Sequence, residues 1–350
     1  MNKRIVVIAI LTIVLSIGSL SAQEKGKPFQ FVTNVAGVGT SAASFLEIGV
    51  GARAVAMGGA YASVANDASA LYWNPAGIAW VNGFQAELMH TEWLAGTKFD
   101  YVGLVAPIPF LRSSFGVSFT SLDYGESPVR TVERPEGTGE RYGARDFAVG
   151  ITYAMSLTDR FSFGLTGKYI AQRIWSETGN TMAIDVGVFY NTMLEGLRLG
   201  ASISNFGGEI QLTGRHLTTV HDPDPRVENF DRVPVLYKTG AYSLPLLFRV
   251  GISYDRKFGQ LGTVLVSMDV NHPSNTTESI NLGMEYGFAN MFYFRAGYQN
   301  LFERDSINGM TIGGGIDYYL AGRMGIRVDY AWSDWGILEN TQRFSLGLIF

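Results

Sequence analysis

Met324-Gly325-Ile326-Arg327-Val328-Asp329-Tyr330-Ala331-Trp332 alternates residue by residue: Met, Ile, Val, Tyr and Trp on one parity, Gly, Arg, Asp and Ala on the other. Successive side chains of a β-strand point to opposite faces, so this stretch reads as a strand with one apolar and one polar face. Working outward, the same period recurs. Ile280, Leu282, Met284 and Tyr286 oppose Ser279, Asn281, Gly283 and Glu285, and Val264, Val266, Met268 and Val270 oppose Thr263, Ser267 and Asp269. Met182, Ile184, Val186, Val188 and Tyr190 oppose Thr181, Asp185 and Gly187. The pattern predicts fourteen strands, near 84–92, 99–107, 113–122, 145–157, 160–174, 180–191, 196–206, 246–256, 261–271, 278–288, 291–299, 309–320, 323–333 and 342–350. Most exceed the length of roughly 5–6 residues usual in soluble sheets and match the roughly 9–11 of a tilted membrane strand.

The connections alternate too. Thr158-Asp159, Ala289-Asn290 and Ala321-Gly322 are tight turns, whereas 123–144, 207–245, 300–308 and 334–341 are long, as in outer-membrane barrels. A closed sheet of fourteen strands is too wide for its own apolar side chains to fill, so the apolar parity is expected to face lipid. That places Lys168, Asp185, Arg198, Asp269, Glu285, Arg295, Arg327 and Asp329 in a lumen expected to be wet, where Ala331 should tolerate a charge. Trp93, Tyr101, Trp175, Tyr190, Tyr254, Tyr286, Trp332 and Trp335 fall near strand ends, as interface girdles do. Asn2-Lys3-Arg4, an apolar run to Leu20 and Ser21-Ala22 make residues 1–22 a secretory signal peptide, expected to be cleaved. Zero cysteine rules out disulfide and thiolate-metal scaffolds. A charge of −4, with 27 Lys+Arg against 31 Asp+Glu, leaves no basic footprint for nucleic acid. The expected fold is all-β: a 14-stranded antiparallel transmembrane barrel of the outer membrane over 84–350, with an N-terminal lumen plug over 23–83.

The plug segment does not alternate. It is rich in Gly and Ala, with a short helix expected to start over Asp67–Ala70, Asp67 acting as cap or first-turn acid. Pro75 biases Asn74 away from helix, and the Asn74 amide is expected to satisfy backbone groups at the bend into the first strand. The stretch Met57-Gly58-Gly59-Ala60-Tyr61 through Asn66-Asp67-Ala68-Ser69-Ala70-Leu71-Tyr72-Trp73-Asn74-Pro75-Ala76-Gly77 resembles the plug signature of the FadL-like superfamily of outer-membrane channels. Ile48-Gly49-Val50-Gly51-Ala52-Arg53 ahead of it is similar to the PorV/PorQ branch, as are Ser121-Leu122-Asp123-Tyr124-Gly125, Ser202-Ile203-Ser204-Asn205-Phe206-Gly207 and Asp222-Pro223-Asp224-Pro225. The resemblance implies an outer-membrane barrel of type IX protein secretion. Its implied partners are a giant translocon barrel and the C-terminal signal domains of exported cargo. The alternative it carries is a FadL-like channel for long-chain fatty acids or other hydrophobic compounds. Gly58, Gly59, Asn66, Asp67, Asn74, Pro75 and Ala76 are the plug residues it singles out.

No catalytic constellation is legible. His90, His216, His221 and His272 form no metal-ligand spacing, and no nucleophile stands beside a base, so a non-enzyme without cofactor or metal is expected. Gly313-Gly314-Gly315 suits close packing against the plug or a bend. Asp222, Asp224, Arg226 and Phe230, in the longest connection, are candidate partner contacts, since loops beyond about 12–15 residues are usually functional or disordered. The last strand puts Phe344, Leu346, Leu348 and Phe350 on one face and ends on the aromatic, which resembles the C-terminal signal read by the barrel assembly machinery. Deleting Phe350, or replacing it by Asp, is expected to lower the amount of heat-modifiable barrel in the outer membrane while leaving leader cleavage intact. Unchanged abundance in membrane fractions would overturn this.

Overall fold

The computed structural model describes residues 39–222, 233–259, 262–303, 306–320 and 324–350. The expected leader, the start of the plug segment, and Asp224, Arg226 and Phe230 lie outside the described residues. The strands are β1 Gln85–Glu92, β2 Lys98–Ile108, β3 Ser113–Pro128, β4 Arg141–Ser156, β5 Phe161–Ile174, β6 Glu177–Asn191 and β7 Leu197–Gly207. The long connection that follows holds β8 Glu209–Gln211, β9 Thr218–His221, β10 Val233–Leu236 and β11 Ala241–Ser243. The second half is β12 Leu247–Lys257, β13 Thr263–Pro273, β14 Ser279–Phe288, β15 Phe292–Leu301, β16 Met310–Leu320, β17 Met324–Asp334 and β18 Asn340–Ile349.

Fourteen of these close into one antiparallel barrel: β1–β7, β12–β17, and β18, which returns to β1. Leu88 faces Leu346 and His90 faces Phe344 across that seam. Closure leaves no free edge, which a sheet in hydrocarbon requires. The expected strands are all present. β3 and β4 run further than expected and absorb much of the 123–144 stretch, with Pro128 paired to Arg141.

Alternation resolves as lipid out, polar in. Val328 is 50% exposed while its neighbours Asp329 and Ala331 are buried, at 3% and 0%. The lumen is not wet at the wall: Asp185, Asp269, Glu285 and Arg295 are all buried. Ala331 therefore does not offer the tolerant site expected of it. Tyr101 is also turned inward and donates its hydroxyl to Ala68 O at 3.0 Å, so it is not a girdle residue.

The reason is the segment ahead of β1. Residues 44–80 fold as short turns: a 3-10 turn at Ser44–Glu47, helices α1 Ala52–Ala56 and α2 Ala70–Trp73, and a 3-10 helix Pro75–Trp80. The segment bonds to the wall in many directions. Ala52 N donates to Ser345 Oγ on β18 at 2.8 Å, Gly58 N to Thr311 Oγ1 on β16 at 3.0 Å, and Trp80 Nε1 to Ser162 Oγ on β5 at 2.8 Å. Tyr61 N and Ala62 N both donate to Asp269 Oδ2 on β13 at 2.8 Å, and Ser202 Oγ on β7 donates to Trp73 O at 3.0 Å. A segment bonded to strands on all sides sits inside the barrel.

Backbone meets backbone there because glycine stands on the wall. A Cβ at Gly200 would overlap Ala62 O, one at Gly297 would overlap Gly58 N, and one at Gly187 would overlap Asn74 Oδ1. Gly313 packs the same way on Ala56, as its place in a glycine run suggested. Gly58 itself has φ +64° and a Cβ there would lie 2.5 Å from Leu282 O, so both conformation and space demand glycine.

Two outcomes follow from this wall. Arg at Val328, on the lipid face at mid-strand, should cost about 2–4 kcal/mol in urea titrations of the vesicle-folded barrel, and Arg at the inward, half-buried Thr263 much less. Equal costs would mean the faces are misassigned. Gly187→Val should keep the heat-modifiable barrel but expose residues 39–83 to protease, because the new side chain takes the place of Asn74 and Pro75. Full protection would show that the seat does not depend on this approach.

Candidate functional site

Asn74 is the hub of the inner segment. It is extended, at φ −160° and ψ 103°, as a residue before proline should be, and fully buried. Its Nδ2 donates to Ala62 O at 2.7 Å and to Val188 O on β6 at 2.9 Å, and its Oδ1 accepts from Ala76 N at 3.1 Å. One amide thus ties two turns of the inner segment to the wall and caps the Pro75–Trp80 helix. The bend lies well before β1 rather than at its start, since that helix intervenes.

Asp67 does not cap a helix at its own position. Helix α2 begins at Ala70 with Ser69 as N-cap, and Asp67 Oδ1 accepts from Ser69 Oγ at 2.6 Å and Ser69 N at 3.2 Å. Its other oxygen accepts from Tyr61 OH at 2.6 Å and pairs with Arg53 Nη1 at 3.1 Å and Arg327 Nη1 at 3.5 Å. Asn66 accepts from the same Arg53 nitrogen at 3.0 Å. Arg53 also grips Glu285 with two bonds, Nε to Oε2 at 2.8 Å and Nη2 to Oε1 at 2.9 Å. Arg295 bridges Glu285 and Asp329, each at 2.6 Å, and Arg327 holds Asp317 by two bonds of 2.9 Å. Seven charged side chains of β14–β17 and the inner segment thus form a connected chain of ion pairs in which each guanidinium meets carboxylates. Breaking a buried pair by removing one partner costs about 3–5 kcal/mol, so this cluster fixes where the segment sits.

Above the inner segment, at the end of the long connections, lies a cavity of about 720 Å³. Its floor is Glu47, Gly49, Tyr72 and Trp73; its walls include Arg249, Asn271, Asn300 and Arg343. Glu47 accepts from Asn275 Nδ2 at 3.1 Å and Glu303 from Thr276 Oγ1 at 2.8 Å. Burial pushes both carboxyls above their usual range. Alternation placed Arg249 on the parity of Gly251 and Ser253, but nothing in the sequence marked it or Arg343 as sharing a cavity across the barrel.

Asp222 ends at the described edge of the β9–β10 hairpin. In that connection β9 pairs with β10, Val233 facing His221, and β8 pairs with β11, Ile210 facing Tyr242. Tyr237 N donates to Leu217 O at 2.8 Å and closes the base of the tip. The histidines are scattered: His90 meets Asp100 at 2.6 Å, His272 meets Glu278 at 3.1 Å, and His216 stacks on Trp175 at 3.9 Å. Phe344, Leu346, Leu348 and Phe350 all point outward on the closing strand, where Phe350 N donates to Phe84 O at 2.9 Å.

Among solved structures, the chain is similar to the CymD monoaromatic hydrocarbon channel, at 13% identity and a TM-score of 0.54, covering 86% of this chain and 96% of that one. The Pseudomonas putida toluene transporter TodX (14% identity, 86% and 96% covered, TM-score 0.53) and the Ralstonia pickettii toluene transporter TbuX (14%, 86% and 97%, 0.53) are alike to the same degree. At such identities the likeness establishes the barrel fold and its inner segment ahead of β1. No curated protein sequence matches. The family model of type IX secretion system protein PorV matches residues 32–214, from ahead of the inner segment through β8, and the chain belongs to that family.

Proposed function

We propose that this outer-membrane barrel serves type IX secretion by binding exported cargo, or the translocon that delivers it, through its long connections, with the inner segment holding the lumen closed. The observation that carries the reading is the two-stage hairpin between β7 and β12. Its base, β8 with β11, is anchored: Ile210 and Leu244 are buried, and Asn205 Nδ2 donates to Pro245 O at 3.0 Å. Its tip, β9 with β10, carries Val220, Val233, Leu236 and Tyr237, all exposed, with Leu236 at 63% and Tyr237 at 65%. These side chains belong to a two-stranded sheet separate from the closed barrel. Apolar surface held out on a short, scaffolded hairpin in water marks a protein contact. Pro234 inside the tip reduces the entropy lost on ordering. Membership of the PorV family supplies the class of partner, namely the secretion machinery, and Asp222, Asp224, Arg226 and Phe230, which fall between β9 and β10 in sequence, remain the proposed contacts. The last strand, with Phe350 at its end, is proposed as the segment read by the assembly machinery.

A second reading, a channel for hydrophobic compounds, is supported by the fold likeness to channels and transporters of toluene and related aromatics. It requires a path past the inner segment, which the Asn74 hub and the Arg53 ion pairs hold in place.

Joining Leu217 directly to Tyr237, without residues 218–236, should leave a folded barrel because the base hairpin is intact. Co-purification with the secretion machinery and release of secreted proteins should both be lost. Neutralising Arg327 and Asp329 together should weaken the barrel but leave secretion by the folded fraction intact. Hydrocarbon or fatty-acid uptake that depends on those lumen residues, with secretion indifferent to the hairpin, would replace this reading with the channel.

A further inference from the structure

Inside this barrel, guanidinium groups are paired with carboxylates almost everywhere. Arg53, Arg295 and Arg327 each meet at least one carboxylate, and Arg198 meets Asp255 at 2.9 Å. Two break the pattern, and both line the cavity above the inner segment. Arg249 is 5% exposed and Arg343 2%. Arg249 lies over the rings of Tyr72 and Trp73, at 5.3 and 5.0 Å, and Arg343 over Trp93 at 4.9 Å. Arg343 Nη1 donates only to the hydroxyls of Ser333 and Thr341, both at 3.2 Å. Among the described residues no carboxylate lies within ion-pair distance of either; Glu47 and Asp269 attract Arg249 from further away and Tyr72 shares a hydrogen bond with it, while Arg249 Nη1 and Arg343 Nε have no hydrogen-bond partner. Stacking on aromatic faces holds a cation in place but does not neutralise it. A buried guanidinium that no carboxylate contacts is costly, and a protein that pairs its other inner arginines has the means to avoid it.

The acceptors around them are also open. Asn271, Asn275 and Asn308 line the same cavity, and their Oδ1 atoms are buried without a donor. Five of the twelve unpartnered buried side-chain atoms among the described residues therefore belong to one chamber. Glu47 and Glu303 also line the chamber but accept from Asn275 and Thr276, so the guanidiniums and open amide oxygens call for a ligand with anionic acceptors and closely spaced donors. A fatty acid offers the first without the second. A peptide offers one N–H per residue, whereas ring hydroxyls offer a donor on nearly every carbon. The chamber's 720 Å³ lies within the range of small-ligand pockets, about 300–1,000 Å³. Arg249 on β12 and Arg343 on β18 come from separated strands, so a ligand reaching both carries more than one acid group.

We propose that this chamber binds an acidic oligosaccharide, its carboxylates taken by Arg249 and Arg343 and its hydroxyls by the asparagine side chains. The proposal is independent of the hairpin contact, which lies on other residues. Trp73, Trp93 and Trp335 line the chamber, so binding reports itself in tryptophan fluorescence.

The test uses the full mature chain, folded in a polyoxyethylene detergent free of sugar headgroups. Trigalacturonate is titrated against maltotriose, decanoate and tetraglutamate, followed by fluorescence and calorimetry. Saturable binding of trigalacturonate, weakened by salt and at least tenfold tighter than the other three, is expected. Arg249→Gln and Arg343→Gln should each lower that affinity by about tenfold while heat-modifiable mobility is kept. Equal binding of maltotriose would mean that charge is not read. Preference for decanoate would make the chamber a greasy-ligand site, and preference for tetraglutamate a peptide site. Any of these, or no binding at all, overturns the proposal, and the four-ligand comparison decides even if an arginine variant does not fold.

Discussion

A closed sheet of fourteen strands has to be filled by something other than its own side chains. This chain fills it with its own N-terminal segment, and that single constraint sets the character of the wall. A folded segment presents backbone as well as side chains, so backbone must approach backbone. Gly187, Gly200 and Gly297 stand where a methyl group would strike the inner segment. Positions that read in sequence as weak points of a strand are where the strand accepts the segment. The same demand explains why the segment is rich in Ala and Gly: small residues let its turns lie flat on the wall, and Ala52, Ala54, Ala56, Ala60 and Ala62 are wholly buried.

Filling the lumen also changes what its charges do. A polar inner face suits water, but here the water-facing parity is largely covered, and charge becomes adhesive. Asp269 spends one oxygen on two backbone N–H groups of the inner segment, and Arg53 reaches from the segment to Glu285 in bidentate geometry. Glycine contacts set how near the segment comes; the charged contacts set its rotation and register, because a bidentate pair tolerates little displacement. The two work together, since only a segment seated at contact distance brings Arg53 to Glu285.

The barrel was legible because its cause is local. Period-two alternation belongs to each strand by itself, so Met324–Trp332 announces its faces without help from its neighbours. The bend at Asn74 was legible for the same reason, being set by the proline that follows. What failed was everything set by partners distant in sequence. Ala331 has the composition of a tolerant lumen position, and Tyr101 that of a girdle residue, until Ala56 and Ala68 are placed against their strands. Asp67 has the spacing of a helix cap, yet Arg53 and Arg327 claim it, one from the segment and one from β17. The 123–144 stretch reads as loop because its alternation lapses at Gly125, where β3 and β4 slip register between Asp123 and Glu126 and then resume pairing.

The inner segment divides the lumen into two chambers of different chemistry. The chamber at the short-turn end is lined by Arg198, Asp255, Arg295, Asp317 and Arg327, whose charges compensate one another. The chamber at the long-connection end holds Arg249 and Arg343 over aromatic rings and open amides, with Glu47 and Glu303 lining it but in ion-pair contact with neither arginine. Uniform pressure for a stable filled barrel would pair both sets alike, because an uncompensated buried guanidinium weakens the fold. That asymmetry is what the proposed saccharide site accounts for, and the chamber lies at the same end of the barrel as the hairpin through which partners are proposed to bind.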